Sequence, residues 1–327
     1  MAPQPRLAAV LHRRWSSTAT LLLAIILGLA LTTATTRAAD APDLSIVVAS
    51  WSSDESLERC LSSLAPQWNG AEVIVATNRP GGQLERRYPH ARFLRGPDGA
   101  SVFQLRTLGA DAARGRLVAL LEDHAVVGLR WVAALREAHR AGHGIVGGPI
   151  ENGLRSRAVD WALYFVEYGC YMPPMPGGPA PRLSGLNIAY DRELLRTCRD
   201  VWKETFQENE VNDALRANGN ALHLAPDAVV ESFLPMTLGY GMGHLCDGGR
   251  HFARYRASRC SGATRLLWLL ASPLVPAVLF LRLARAIARR RPGRLLELLR
   301  ALPFVALVLG AWGWGEATGY LVEARVR

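Results

Sequence analysis

Residues 44–76, LSIVVASWSSDESLERCLSSLAPQWNGAEVIVA, decide the fold class. The run LSIVVA (44–49) is short, rich in β-branched residues and bounded by polar ones, which reads as a buried strand. In SDESLERCLSSLA (53–65), Leu57, Leu61 and Leu64 recur on one helical face, with Ser53 or Asp54 as N-cap. EVIVA (72–76) is the next strand. Strand, amphipathic helix and strand in this order form the unit of a parallel sheet.

The same alternation continues outward. Arg92–Leu94 reads as a short third strand, 101–114 as a helix ended by Gly115, and 116–121 as a strand closing on Glu122, Asp123 and His124. A helix over 130–141 and a glycine-rich strand over 144–150 follow. The predicted fold is therefore α/β with a mainly parallel sheet. In such sheets ligands bind beyond the carboxyl ends of the strands. Ser50, Thr77 and the 122–124 triplet are polar groups at three such ends, so they are expected to converge on one crevice.

The chain has 327 residues, half of them hydrophobic, and a net charge of +10. That is ample for a buried core and excludes a disordered chain. The basic excess is concentrated in residues 282–300, RLARAIARRRPGRLLELLR, between apolar runs at 264–281 and 301–315. That placement suits lipid headgroups better than bases, and no zinc-finger or RNA-binding spacing is present, so no nucleic acid partner is expected. A further apolar run, 19–31, lies within an N-terminal segment 1–40 that reads as a signal, an anchor or a mis-assigned start. The expected layout is this segment, a main α/β domain over 43–260, and membrane-associated helices with a polybasic linker over 263–327. Five scattered cysteines without CxxC spacing argue for reduced thiols.

Three stretches together carry a resemblance: LSIVVASWSSDESLERCLSSL, EVIVATNRP and GASVFQLRTLGADAARGRLVALLEDHAVV. They are similar to the opening of family 2 glycosyltransferases, over about residues 44–260. A bacterial subgroup looks similar in its Glu-Asp-His ending, followed by GGPIENG, DWALYFVEYG, a Gly-Asn segment and a Trp-x-Glu segment. The resemblance implies a GT-A-like fold and an inverting transfer from a UDP- or GDP-sugar to a lipid-linked or polysaccharide acceptor. It also implies Mg2+ or Mn2+, held mainly by Asp123 with His124 or Glu122 assisting. The nucleotide-sugar site would comprise Ala49, Ser50, Trp51, Asp54, Thr77, Asn78, Arg106, Glu122, Gly185 and Asn187. Thr77 and Asn78 replace the family's paired aspartates and can bond a base or ribose without charge.

The catalytic base is expected in WKETFQENEVNDALRANG, as Glu204 or Glu208, which share a face if the helix starts early. The Trp-x-Glu pattern favours Glu204, while counting back from Gly219 favours Glu208. Trp161 and Tyr164 read either as sugar-stacking aromatics or as core, and 172–181 as a mobile loop. The arginines of 249–259 suit either a diphosphate or anionic lipid. Two readings compete with the transferase: a non-catalytic membrane scaffold that keeps the fold, and a nucleotidyltransferase, which SWSSDES disfavours because it is acidic and lacks glycine. The expected setting is the bacterial inner membrane, with the catalytic domain on its cytoplasmic side.

Overall fold

The computed structural model describes residues 42–79, 82–234 and 236–323. The segment 1–40 lies outside them. The strands are β1 (Leu44–Ser50), β2 (Ala71–Thr77), β3 (Ala91–Arg95), β4 (Leu117–Glu122), β5 (Ala125–Val127), β6 (Ile145–Gly147), β7 (Ile150–Asn152), β8 (Gly178–Pro179), β9 (Ile188–Asp191), β10 (Leu222–Leu224) and β11 (Val230–Ser232). The helices of the sheet region are α1 (Asp54–Leu64), α2 (Gly82–Arg87), α3 (Val102–Ala112), α4 (Trp131–Arg140), α5 (Ala158–Tyr168), α6 (Arg192–Thr197), α7 (Arg199–Trp202) and α8 (Glu208–Ala217). The C-terminal part holds α9 (Leu238–Ala257), α10 (Gly262–Ala271), α11 (Val275–Arg290) and α12 (Leu295–Glu323).

The main sheet runs β3-β2-β1-β4-β9-β6-β10-β8. Its first four strands are parallel, while β9 is antiparallel to both β4 and β6. A smaller sheet runs β5-β11-β7. Every residue of β1 and β4 is buried, as a parallel strand covered on both faces requires. The predicted strand over 144–150 is instead two strands in different sheets. Gly148 lies between them because a β-carbon there would overlap the Ala228 carbonyl, so the chain must pass as bare backbone.

Local chemistry sets the helix starts. The Ser53 hydroxyl accepts from the Ser56 amide at 3.2 Å and caps α1. Ser101 and Gln104 form a reciprocal capping box at α3. Gly115 then lets the chain enter β4, since a β-carbon there would sit 2.5 Å from the Ser45 amide nitrogen. These turns deliver the carboxyl ends of β1, β2 and β4 side by side, with Ser50 in register with Thr77 and Ala49 with Glu122.

The C-terminal part is a different kind of packing. Gly249 of α9 and Gly315 and Gly319 of α12 meet the opposite backbone directly. Glu316, 2% exposed, is bonded by Arg256 at 3.2 Å, the Trp312 indole at 3.3 Å and the Tyr320 hydroxyl at 3.2 Å. Residues 262–290 and 292–321 are two helical stretches long and apolar enough to cross a membrane, by length and composition. Leu266, Leu267, Leu270 and Leu274 among them are exposed. Arg291 reaches back to Glu151 of β7 at 2.9 Å.

Candidate active site

The carboxyl edge of β1, β2 and β4 gathers most of the residues expected there. Asp123 is fully buried. Its Oδ2 accepts from the Ser50 hydroxyl (3.0 Å) and the Trp51 and Ser52 amides (2.9 and 2.8 Å), and its Oδ1 accepts from the Ser52 hydroxyl (2.8 Å). The Asp123 amide donates to the Ala49 carbonyl at 3.1 Å. Burial pushes the Asp123 carboxyl above its usual range, offset in part by the Ser52 and Ser50 hydrogen bonds.

Glu122, one residue earlier, faces a different partner. It pairs with the buried Arg106 of α3 and accepts from the Trp51 indole at 3.1 Å. Burial pushes its carboxyl up, but the Arg106 guanidinium, His124 and the Trp51 hydrogen bond together more than offset this, and the group sits below the usual carboxylate range. Arg106 is 4% exposed and also holds Glu208, the first residue of α8, with Nη1 to Oε2 at 2.9 Å. One cation thus bridges two carboxylates from two elements 86 residues apart in the chain, from β4 to α8. Gly185 makes room for it: a β-carbon there would lie 2.6 Å from the guanidinium.

Thr77 is buried at the end of β2, and its hydroxyl accepts from the Arg79 amide at 3.1 Å. Asn78 donates to the Ala100 carbonyl at 3.2 Å. Arg79 was not singled out by the sequence, although the NRP turn after the second strand was. Its guanidinium bonds the Ser50 hydroxyl at 3.0 Å, lies 3.2 Å from Asp54 and 3.8 Å from Asp123, and is partly open to solvent. It is the partly exposed cation at the rim of this edge, where Arg106 is the buried one.

Several expectations are corrected by these contacts. Asp123 takes three hydrogen bonds on Oδ2 and one on Oδ1 from the Ser50–Ser52 turn, which ties β4 to β1 and leaves Oδ1 one lone pair for a ligand. Asn187 does not line the crevice. It is fully buried, accepts from the Trp131 indole at 2.8 Å and donates to the Pro149 and Ala228 carbonyls at 3.0 and 2.7 Å. Glu204 lies in an exposed bend before α8, so it shares no helical face with Glu208. Trp161 and Tyr164 are core, with polar atoms on the Arg155 and Ile150 carbonyls. The 172–181 stretch contributes β8, paired with β10 at the sheet's edge. Of the 249–259 arginines, Arg256 is used to hold Glu316.

His124 has bonding capacity to spare. It is 1% exposed, and neither ring nitrogen has a hydrogen-bond partner among the described residues. Nδ1 lies 3.6 Å from Glu122 and 3.9 Å from Asp123. Burial pushes its pKa down, more than the two carboxylates raise it, so the ring is neutral with a lone pair available. Among the described residues, no three His, Cys, Asp or Glu side chains are arranged to enclose an ion. Glu122 and Asp123 lie beside the ring, so a cation here would be held by a carboxylate oxygen together with the His124 imidazole and would take the rest of its shell from substrate and water.

No protein-family model and no curated protein matches the chain. Among solved structures it is similar to the mannosyltransferase PcManGT from Pyrobaculum calidifontis in complex with GDP-Man and Mn2+. The identity is 18% over 88% of this chain and 86% of that one, with a TM-score of 0.48. It is also similar to S. aureus TarS 1–349, at 12% identity over 87% of this chain and 92% of that one, with a TM-score of 0.47. Neither likeness bears on activity.

Proposed function

We propose that the chain is a glycosyltransferase that moves a sugar from a nucleotide-sugar donor to a lipid-linked or glycan acceptor, with inversion at the anomeric carbon. The observation that supports this is the Glu122–Arg106–Glu208 bridge at the carboxyl edge of a parallel sheet. It leaves one carboxylate on the strand and the other at the N-terminus of a helix, oriented by a shared cation. The sequence resemblance over residues 44–260 supplies the reaction class.

In this reading Ser50, Trp51, Thr77 and Asn78 border the nucleotide, and Arg79 meets the diphosphate as a rim cation. Glu208 takes the proton of the acceptor hydroxyl as its oxygen bonds to the anomeric carbon. The anomeric bond to the diphosphate breaks, and the leaving diphosphate keeps the electron pair. Arg106 keeps Glu208 aimed. Asp123, with His124 or Glu122 assisting, would hold Mg2+ or Mn2+, which would neutralise charge growing on the diphosphate. The catalytic domain spans 43–260, and the helices from 263 onward attach it to a membrane, with the domain on the cytoplasmic side.

The test is a panel of nucleotide sugars given to the purified full chain, with and without manganese. Glu208→Gln should lose turnover by about 10²–10⁴-fold, yet still quench tryptophan fluorescence on binding UDP or GDP. Glu204→Gln should turn over normally. Normal turnover by Glu208→Gln would remove it as the base. No nucleotide binding and no sugar consumption by the unmodified chain would remove the transferase reading altogether.

A further inference from the structure

The small sheet sets a second group of polar side chains beside the strand edge. Ala125, Ser232 and Asn152 are register partners across β5, β11 and β7, so their side chains share one face. Ala125 directly follows His124, and the amide of Phe233, next to Ser232, donates to the His124 carbonyl at 2.8 Å. Two strand spacings, about 10 Å in all, separate Asn152 from Ala125. Helix α5 covers this face with a stripe at helical spacing: Asp160, Leu163, Tyr164, Glu167 and Tyr168. Between helix and sheet a slot of about 20 Å³ remains. That is room for one group the size of a water molecule.

Hydrogen bonding in the slot is incomplete. Asn152 is 2% exposed. Its Oδ1 accepts from the Leu154 amide at 3.1 Å, which fixes the orientation of the side-chain amide, and its Nδ2 has no partner among the described residues. A buried donor left unpaired is costly, so this one calls for an acceptor entering the slot. Asp160 is already held by Arg157 at 2.6 Å. Glu167 is partly open, and its ion pair among the described residues, with His244, is 3.9 Å long. Burial pushes the Tyr168 hydroxyl well above its usual value, and the charges of Glu122, Glu167 and Glu208 add to this. The same side chain thus borders the slot and senses both carboxylates of the Arg106 bridge.

The entering group must accept from Asn152, donate to Glu167, and rest a carbon against Leu163 and Met236, which supply the apolar side of the slot. A hydroxymethyl group meets all three demands. A methyl group makes neither hydrogen bond. A carboxylate accepts but cannot donate, and its charge opposes that of Glu167. A bare hydrogen leaves the slot empty. We propose that the slot reads the exocyclic hydroxymethyl group of the donor sugar, so that the chain takes hexoses in preference to pentoses, 6-deoxyhexoses and uronic acids. This donor class rests on the transferase reading above.

The test measures tryptophan quenching of the purified full chain with manganese and no acceptor. One series is UDP-glucose, UDP-xylose, UDP-6-deoxyglucose and UDP-glucuronate. The other is GDP-mannose, GDP-6-deoxymannose and GDP-mannuronate. In the series whose nucleotide binds, the hexose should bind about tenfold or more tightly than each analogue. Asn152→Ala should bring the hexose and its 6-deoxy analogue within about threefold of each other. Glu167→Gln, at a partly exposed position, removes the opposing charge and should narrow the gap between hexose and uronate. Equal affinity of the unmodified chain for the hexose and its 6-deoxy analogue would overturn the slot. So would preferences left unchanged by both variants. Either result leaves nucleotide binding, and with it the transferase reading, in place. Binding of neither UDP nor GDP would remove that reading and the slot together.

Discussion

Glu122 and Glu316 are two buried glutamates held in nearly the same way. Each meets one arginine and one tryptophan indole: Arg106 and Trp51 for the first, Arg256 and Trp312 for the second. What lies beyond the arginine differs. Arg106 continues to a second carboxylate, Glu208, at a strand edge where His124 is left with two unpartnered nitrogens. Arg256 ends between the faces of Phe252 and Trp268, and Glu316 takes its remaining bond from Tyr320. Everything around Glu316 is satisfied within the chain. A buried ion pair is therefore no mark of an active site by itself. What sets the first pair apart, among the described residues, is the unfinished bonding next to it.

The comparison breaks most sharply at Arg106. Arg106→Ala strands two carboxylates, one of them deeply buried, and should cost about 3–5 kcal/mol of stability in urea unfolding. Turnover should be lost as well, because nothing then aims Glu208. Arg256→Ala leaves Glu316 with two neutral donors and removes a side chain already 30% exposed. Its cost should be about 1–3 kcal/mol, with nucleotide binding unchanged. Equal losses from the two variants would mean that the second carboxylate adds nothing.

The smallest effect sharpens the comparison by removing the counter-charge. His139 of α4 is buried with Nε2 unpartnered, and burial, with Arg116 adding to it, pushes its pKa down to about 4. The folded chain thus favours the neutral ring. Its stability contribution is intact above the unfolded histidine value near 6.5 and declines as pH falls from there toward 4. At pH 5.5 the penalty should be about 1 kcal/mol. His139→Leu should flatten that acid slope in thermal melts between pH 7 and 4.5. An unchanged slope would show that other groups produce it.

Much of this was legible in the sequence because it is local. The 44–76 unit, the α3 helix and its glycine stop, and the acidic end of β4 follow from periodicity and capping. What failed depends on partners far along the chain. Asn187 looks like a pocket residue until its amide is found on Trp131, Pro149 and Ala228. Asp123 looks like a free strand-end carboxylate until the turn at 50–52 is found on its oxygens, three hydrogen bonds on Oδ2 and one on Oδ1. The sequence left Glu204 and Glu208 both open for a local reason: Gln207, the N-cap of α8, makes no side-chain capping bond, so the helix start carries no readable signal. Arg79 lies beside residues that were chosen, but only the folded β1–α1 turn shows what it reaches.

The glycine seam between α9 and α12 has a mechanical consequence. Where Gly249, Gly315 and Gly319 bring main chain against main chain, no rotamers are available to absorb a change of angle. A twist of one helix about the other would drive peptide groups together, and the Arg291–Glu151 tie restrains the opposite end. A larger side chain at any of the three glycines would have to push the two helices apart, so the seam sets how closely they can lie.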